Sequence, residues 1–324
     1  MPPPKPKVIV TRRLTEPVEA RMTELFDAEL NPADAPFGRE RLAEAMGRCD
    51  VLVPTLPDRI DATLIAAAGP GLKLIANFGA GTDNIDLDAA LSRGIAVTNT
   101  PDALTDDTAD IVIALILMAL RRLGEGERVV RAGRWAGWGP TDQLGRALRG
   151  KRLAIVGMGR IGQAVARRAR AFGMTIDYHN RRPIEAEQEA ALEARYQPDL
   201  DAMIAEADVL SLNAPYSAET HALIDRRRLA LMRPDAWLIN AARGALIDEE
   251  AVIEALEAGR IAGAGFDVYP REPHVEERLK RLENAVLLPH LGSATIETRT
   301  AMGEKVIANI LAFAEGRGLP NRVA

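Results

Sequence analysis

The run Gly157-Met158-Gly159-Arg160-Ile161-Gly162 is the most informative in the chain because of what flanks it. Before it, Lys151-Arg152-Leu153-Ala154-Ile155-Val156 reads as a short apolar strand. After it, residues 163–172 carry Val165, Ala169 and Phe172 at helical spacing. Strand, tight turn and helix start, in that order, form the place where a dinucleotide pyrophosphate sits. The first glycine permits the turn, the second lets backbone approach the phosphates, and the third lets helix pack on strand. Backbone N–H groups and the positive end of the helix dipole would hold the anion.

On either side of this turn the chain alternates strand and helix patterns in two series. The first runs through strands at 8–10, 51–53, 72–76 and 95–97, with helices over 17–27, 39–47, 61–68 and 87–93 between them. A long helix then begins near Asp106-Asp107-Thr108, whose acids suit its dipole, and runs to about Arg122. The second series has strands at 153–156, 175–178, 209–212, 237–240, 262–268 and 286–288. Helices fall at 200–205, about 226–231 and 249–258. Such alternation predicts an α/β protein of two doubly wound, parallel-sheet (Rossmann-like) domains, with an active-site cleft between them. The last helix, 296–315, follows completion of the second series and points to a first domain made of two chain segments.

Bulk properties exclude several classes of function. With 324 residues the chain can bury two cores, and a net charge of −5 argues against non-specific polyanion binding. The start, Met1-Pro2-Pro3-Pro4-Lys5-Pro6-Lys7, lacks the apolar core of a signal peptide, and the most apolar run, 111–120, is about half a membrane span. One cysteine, Cys49, permits no internal disulfide. A cytoplasmic protein with neither membrane nor nucleic-acid partner is expected. No CxxC, HExxH or clustered His/Asp set occurs, so no metal is expected.

The end of the second strand of the dinucleotide series bears on the cofactor. It reads Tyr178-His179-Asn180-Arg181-Arg182-Pro183. An Asp or Glu here usually bonds the ribose hydroxyls of NAD, but would repel a 2′-phosphate that Asn and Arg can bond. Asp177 lies within the strand, where the pleat points it away. NADP(H) is therefore expected in preference to NAD(H).

Three chemically competent residues follow three strands of that series: Arg243 in Asn240-Ala241-Ala242-Arg243-Gly244, Glu272 in Tyr269-Pro270-Arg271-Glu272-Pro273, and His290 in Pro289-His290-Leu291-Gly292-Ser293. Loops after parallel strands gather at one sheet edge, so the three can meet. Reducing a 2-keto acid needs a cation for the carboxylate, a hydride donor and a proton donor. Arg243 offers a planar fork for the first. His290 carries an imidazole suited to acid/base work near neutral pH, and Glu272 would orient the ring and stabilise imidazolium.

Together with Asn77-Phe78-Gly79-Ala80-Gly81-Thr82-Asp83-Asn84-Ile85-Asp86 and Thr98-Asn99-Thr100-Pro101, these motifs run in one order over nearly the whole chain. They resemble the D-isomer-specific 2-hydroxyacid dehydrogenase family, and within it the bacterial glyoxylate/hydroxypyruvate reductases. The resemblance implies Arg243, Glu272 and His290 as catalytic trio. It implies cofactor contacts from Thr108, Asn213-Ala214-Pro215, Ala241, Ala242, Arg243, Asp267, His290, Gly292 and Ser293, and receipt of the substrate carboxylate by the N–H groups of Ala80 and Gly81. Leu56, Phe78, Gly79 and Trp138 are expected at the substrate, Trp138 from a partner subunit.

The resemblance further implies a discontinuous substrate domain (1–102 plus 292–324) and an NADP-binding domain (103–291). Within the latter, 105–150 would form a homodimer contact. The expected reaction is NADP(H)-dependent reduction of glyoxylate and hydroxypyruvate to glycolate and D-glycerate. A broader keto-gluconate or aryl-pyruvate reductase is the alternative, and a non-catalytic dinucleotide sensor is the reading from another class.

Overall fold

Valine, isoleucine and leucine runs too short for helices build two parallel sheets in this computed structural model, which describes residues 5–324. Residues 1–4, on which part of the signal-peptide reading falls, lie outside the described residues. The chain divides into two compact units, one of residues up to Leu104 together with Ser293–Ala324, the other Thr105–Gly292.

In the first unit the strands are β1 (Lys7–Val10), β2 (Asp27–Glu29), β3 (Val51–Val53), β4 (Leu74–Ala76) and β5 (Ala96–Thr98). They pair in the order β2-β1-β3-β4-β5, all parallel. Ile9, Leu52 and Ile75 pack on helices Arg39–Arg48 and Ala62–Ala67. On the other face Val8, Val10, Val53 and Ala76 pack with helices Glu16–Leu25 and Ile296–Ala314. Burial on both faces explains why β1, β3 and β4 read as continuous apolar runs.

The second unit holds β6 (Arg152–Val156), β7 (Thr175–His179), β8 (Ala194–Tyr196), β9 (Val209–Leu212), β10 (Trp237–Asn240), β11 (Gly263–Phe266) and β12 (Ala285–Leu287). Their order is β12-β11-β10-β9-β6-β7-β8, again parallel, and reverses direction between β6 and β9. Such a reversal opens a crevice beyond the strand ends, where ligands of open α/β sheets bind.

Several elements depart from the sequence reading. The helix expected over 17–27 spans Glu16–Leu25, and Asp27–Glu29 is an edge strand. The long helix ends at Leu120. Arg122, at φ 55°, turns the chain left-handed before a separate helix, Leu123–Arg131, that sequence did not indicate. Helices Ala186–Leu192 and Glu277–Lys280 and edge strand β8 were also not indicated. None of the described helices is long and apolar enough to cross a membrane. Cys49 is buried, and burial pushes its thiol up to about 12, so it is no nucleophile.

Candidate active site

The glycine turn lies between β6 and helix Arg160–Ala171, on the crevice where the sheet order reverses. Gly157 has φ 97°, and a Cβ there would stand 2.6 Å from Ala214 N, so the turn is held against the Asn213-Ala214-Pro215 loop after β9. A Cβ on Gly162 would stand 2.2 Å from Gly157 O, which forces helix and strand together. Gly159 differs: nothing lies within 4 Å of its Cβ position, and as N-cap it supplies no side chain to the helix N–H groups. Open space over a helix N-terminus without a side-chain cap fits a dinucleotide's phosphates. Met158 is buried, Arg160 is exposed and Ile161 is half-buried beside the loop.

Asn180 sits beside this turn, and its Oδ1 accepts the Met158 N–H at 2.8 Å. The side chain expected to bond a ribose phosphate therefore also braces the glycine loop. Tyr196 OH donates to Asn180 O at 3.1 Å, fixing the turn from which Arg181 and Arg182 project into solvent. Asp177 is buried and bonded by Arg195 at 2.9 Å, so it faces away from the turn.

Arg243, Glu272 and His290 follow β10, β11 and β12, three adjacent strands. Each loop is tied to its neighbour: Asp267 N–H donates to Asn240 O at 2.9 Å and His290 N–H to Asp267 O at 2.8 Å. Buried Asn240 shapes the first loop, its Oδ1 accepting from Ala242 N–H (3.1 Å) and its Nδ2 donating to Arg243 O (2.9 Å). A Cβ on Gly244 would stand 2.0 Å from the carbonyl carbon of Tyr269, so only glycine lets the Arg243 loop lie on the Glu272 loop. Tyr269 anchors that second loop: its OH donates to Leu288 O and its N–H to Glu272 Oε1, both at 2.9 Å.

His290 Nδ1 and Glu272 Oε2 are 2.7 Å apart. A carboxylate only accepts, so Nδ1 carries the hydrogen and Nε2 is left for acid/base work. Burial of the Glu272 carboxyl works to raise its pKa. The hydrogen bond and charge of His290, the Tyr269 N–H and the charge of Arg243 outweigh burial and hold it below the ordinary carboxylate range. Asp267 is fully buried, and burial pushes its carboxyl up although Leu291 and Gly292 N–H groups (2.7 and 2.9 Å) pull it down. Those two bonds hold the turn that follows His290. Thr108 Oγ1 donates to Gly292 O at 2.9 Å, bracing it further. Asn240 and Tyr269 were not named as site residues from sequence; their roles depend on partners in neighbouring loops.

In the first unit, the loop after β4 holds Gly79, Ala80 and Gly81, the residues expected at the substrate. Phe78, expected at the substrate, is 9% exposed and packs with Val10, Val53, Ala76 and Met302. The pleat dictates this, because Leu74, Ala76 and Phe78 alternate onto one face. Leu56 lies over Gly79, whose Cβ position is 2.7 Å from Leu56 Cδ2. Ala80 and Gly81 remain half-exposed. Ser293 begins the second segment of this unit. Trp138 belongs to the second unit and is 85% exposed. No group of metal-binding side chains occurs among the described residues.

The chain belongs to the D-isomer-specific 2-hydroxyacid dehydrogenase family: residues 113–292 match the model of that family's NAD-binding domain. It is an NAD(P)-dependent oxidoreductase of that family. A glyoxylate reductase of Thermococcus litoralis is 46% identical over 98% of this chain and 97% of its own length. The crystal structure of a glyoxylate reductase from Paecilomyes thermophila superposes with a TM-score of 0.88 at 37% identity, covering 99% of this chain and 98% of that one. An NADPH-dependent glyoxylate/hydroxypyruvate reductase from Sinorhizobium meliloti, solved with NADP and malonate, gives 0.87 at 37% identity over 99% and 97%.

Proposed function

We propose that this enzyme reduces glyoxylate and hydroxypyruvate to glycolate and D-glycerate with NADP(H) in preference to NAD(H), His290 donating the proton. The observation that carries the reading is the 2.7 Å pair of His290 Nδ1 and Glu272 Oε2, held in loops braced against the one bearing Arg243. A dinucleotide whose pyrophosphate is held at the Gly157–Gly162 turn would supply, from its reduced nicotinamide ring, a hydride for the carbonyl carbon. Arg243 holds the substrate carboxylate and polarises the carbonyl, and Nε2 of His290 protonates the oxygen. The electron count closes with one hydride and one proton. The N–H groups of Ala80 and Gly81 receive the carboxylate in this reading, Asp267 and the Gly292-Ser293 turn face the nicotinamide, and residues 1–102 with 292–324 serve as substrate domain.

The NADP preference draws on Arg181 and Arg182, which stand exposed beside Asn180 with no acidic partner among the described residues. Two chains per enzyme are inferred from Leu123, Val130, Trp135, Trp138 and Leu144, all exposed within 105–150; Trp138 would then reach the partner's substrate. Loss of nicotinamide absorbance with glyoxylate or hydroxypyruvate, using NADPH and NADH in turn, tests the activity. The expected kcat/KM is higher with NADPH, by about tenfold for two phosphate-bonding arginines. Equal or higher efficiency with NADH removes the cofactor preference, and no turnover of either acid removes the function. Light scattering at the mass of one chain would remove the dimer.

Replacing Glu272 by Gln retains shape and removes the charge facing Nδ1. The amide oxygen can still accept from Nδ1 but brings no charge to the protonated ring, so turnover should fall about tenfold with the fold intact. Unchanged turnover would show that the carboxylate does not act on the donor. Stability depends on the same carboxylate: Glu272 is held below its ordinary range, so its contribution is complete above that range. It is lost as pH falls through the lower folded value. The Gln variant should lack this acid-dependent loss in thermal melts.

A further inference from the structure

The loop of the first unit that receives the carboxylate in the reading above is aimed by its own carbonyls. A trans peptide is planar, so fixing one carbonyl turns the next residue's N–H the opposite way. Three donors fix three successive carbonyls here: Thr100 N–H on Gly79 O at 3.0 Å, Asn99 Nδ2 on Ala80 O at 2.7 Å, and Asn77 Nδ2 on Gly81 O at 2.8 Å. The N–H groups that follow belong to Ala80, Gly81 and Thr82, and they find no acceptor among the described residues. Successive N–H groups turned to one side make a concave anion site.

Asn99 is the member of this set whose side chain acts on the loop alone. Asn77 is also tied through its Oδ1 to Asn84 Nδ2 at 3.2 Å, and Thr100 acts through its backbone. Asn99 is itself braced from behind. Its N–H donates to Asn321 O at 3.2 Å, and Asn321 is clasped by fully buried Asn309 through N–H to Oδ1 (3.1 Å) and Nδ2 to Oδ1 (3.2 Å). A relay of amides thus runs from helix Ile296–Ala314 to the glycine loop.

We propose that Asn99 is a positioning residue for the substrate: its amide aims the Gly81 N–H at the carboxylate of the 2-keto acid, and Asn321 with Asn309 holds it there. The inference rests on the proposed keto-acid reduction and assigns the carboxylate affinity of that reaction to an amide that never touches substrate. An aspartate at 99 would oppose a second acceptor to Ala80 O, freeing that peptide to rotate and misdirecting the Gly81 N–H.

The test compares the wild type with Asn99→Asp and the milder Asn99→Ser at saturating cofactor. The KM for glyoxylate should rise roughly thirtyfold, as expected for a lost hydrogen bond to a charged group. The kcat should change by no more than about twofold, and the KM for the dinucleotide should not move. Affinity for oxamate, an unreactive analogue that keeps the carbonyl and carboxylate of the substrate, should weaken in parallel by calorimetry. Methyl glyoxylate, which lacks the carboxylate charge, should keep the same kcat/KM in all three proteins. Asn321→Ala should give the same pattern, smaller. Unchanged KM and oxamate affinity in either folded variant overturns the proposal, as does an equal loss on acid and ester. A wild type that binds oxamate but turns over no 2-keto acid refutes the activity alone, and oxamate affinity of the variants still decides the role of Asn99.

Discussion

Alanine in place of His290 is expected to lower kcat for keto-acid reduction by roughly a thousandfold, within the range that positioned acid/base groups contribute. Cofactor affinity should change by no more than about twofold, because the glycine turn and its open Gly159 face lie at β6, well along the sheet from β12. The backbone complicates a simple alanine result. His290 has φ 56°, a left-handed conformation costly to most side chains, and its N–H anchors the loop to Asp267 O. Asn tolerates that conformation best among the uncharged residues with a side chain, so His290→Asn separates shape from chemistry. Both variants should fold, retain dinucleotide binding and lose turnover to a similar degree. Recovery of activity in the Asn variant would show that residue 290 serves by the path of its backbone, leaving the proton donor to be found elsewhere. A melting curve alongside the kinetics keeps the two explanations apart.

What could be read from the letters alone follows physical rules. The glycine turn was legible because each glycine answers a separate steric demand, and the structure meets all three: a crowded turn at Gly157, open space at Gly159, and helix against strand at Gly162. Buried strands were legible as apolar runs. The edge strands β2 and β8 were not, since Asp27–Glu29 and Ala194–Tyr196 are partly exposed and carry no apolar signal. Helix Leu123–Arg131 buries none of its residues in its own chain, so no stripe facing a core announces it. The packing of Phe78 was legible by counting alternate residues from Leu74. Asn99 and Asn240 escaped for another reason: a neutral amide has no charge or period to mark it, and its partners are carbonyls that only the fold brings near.

Arg243 carries the second large effect. Arg243→Ala should raise the KM for the 2-keto acid about a hundredfold and lower kcat about tenfold, since the guanidinium both holds the carboxylate and polarises the carbonyl. Lysine should restore only part of this. It brings a point charge without the planar fork, and the loop around it is built rigidly, with Asn240 on both sides of the turn and Gly244 against Tyr269. The charge of Arg243 also helps to hold the Glu272 carboxyl low. Removing it lets that carboxyl drift up toward its ordinary range, so the acid limb of the activity profile should move to higher pH in the alanine variant. The lysine variant should keep the wild-type limb, because the sign of the charge is preserved. An alanine variant with unchanged KM would exclude Arg243 as the carboxylate clamp. A raised KM with an unmoved acid limb would retain the clamp and leave Glu272 governed by burial, His290 and the Tyr269 N–H.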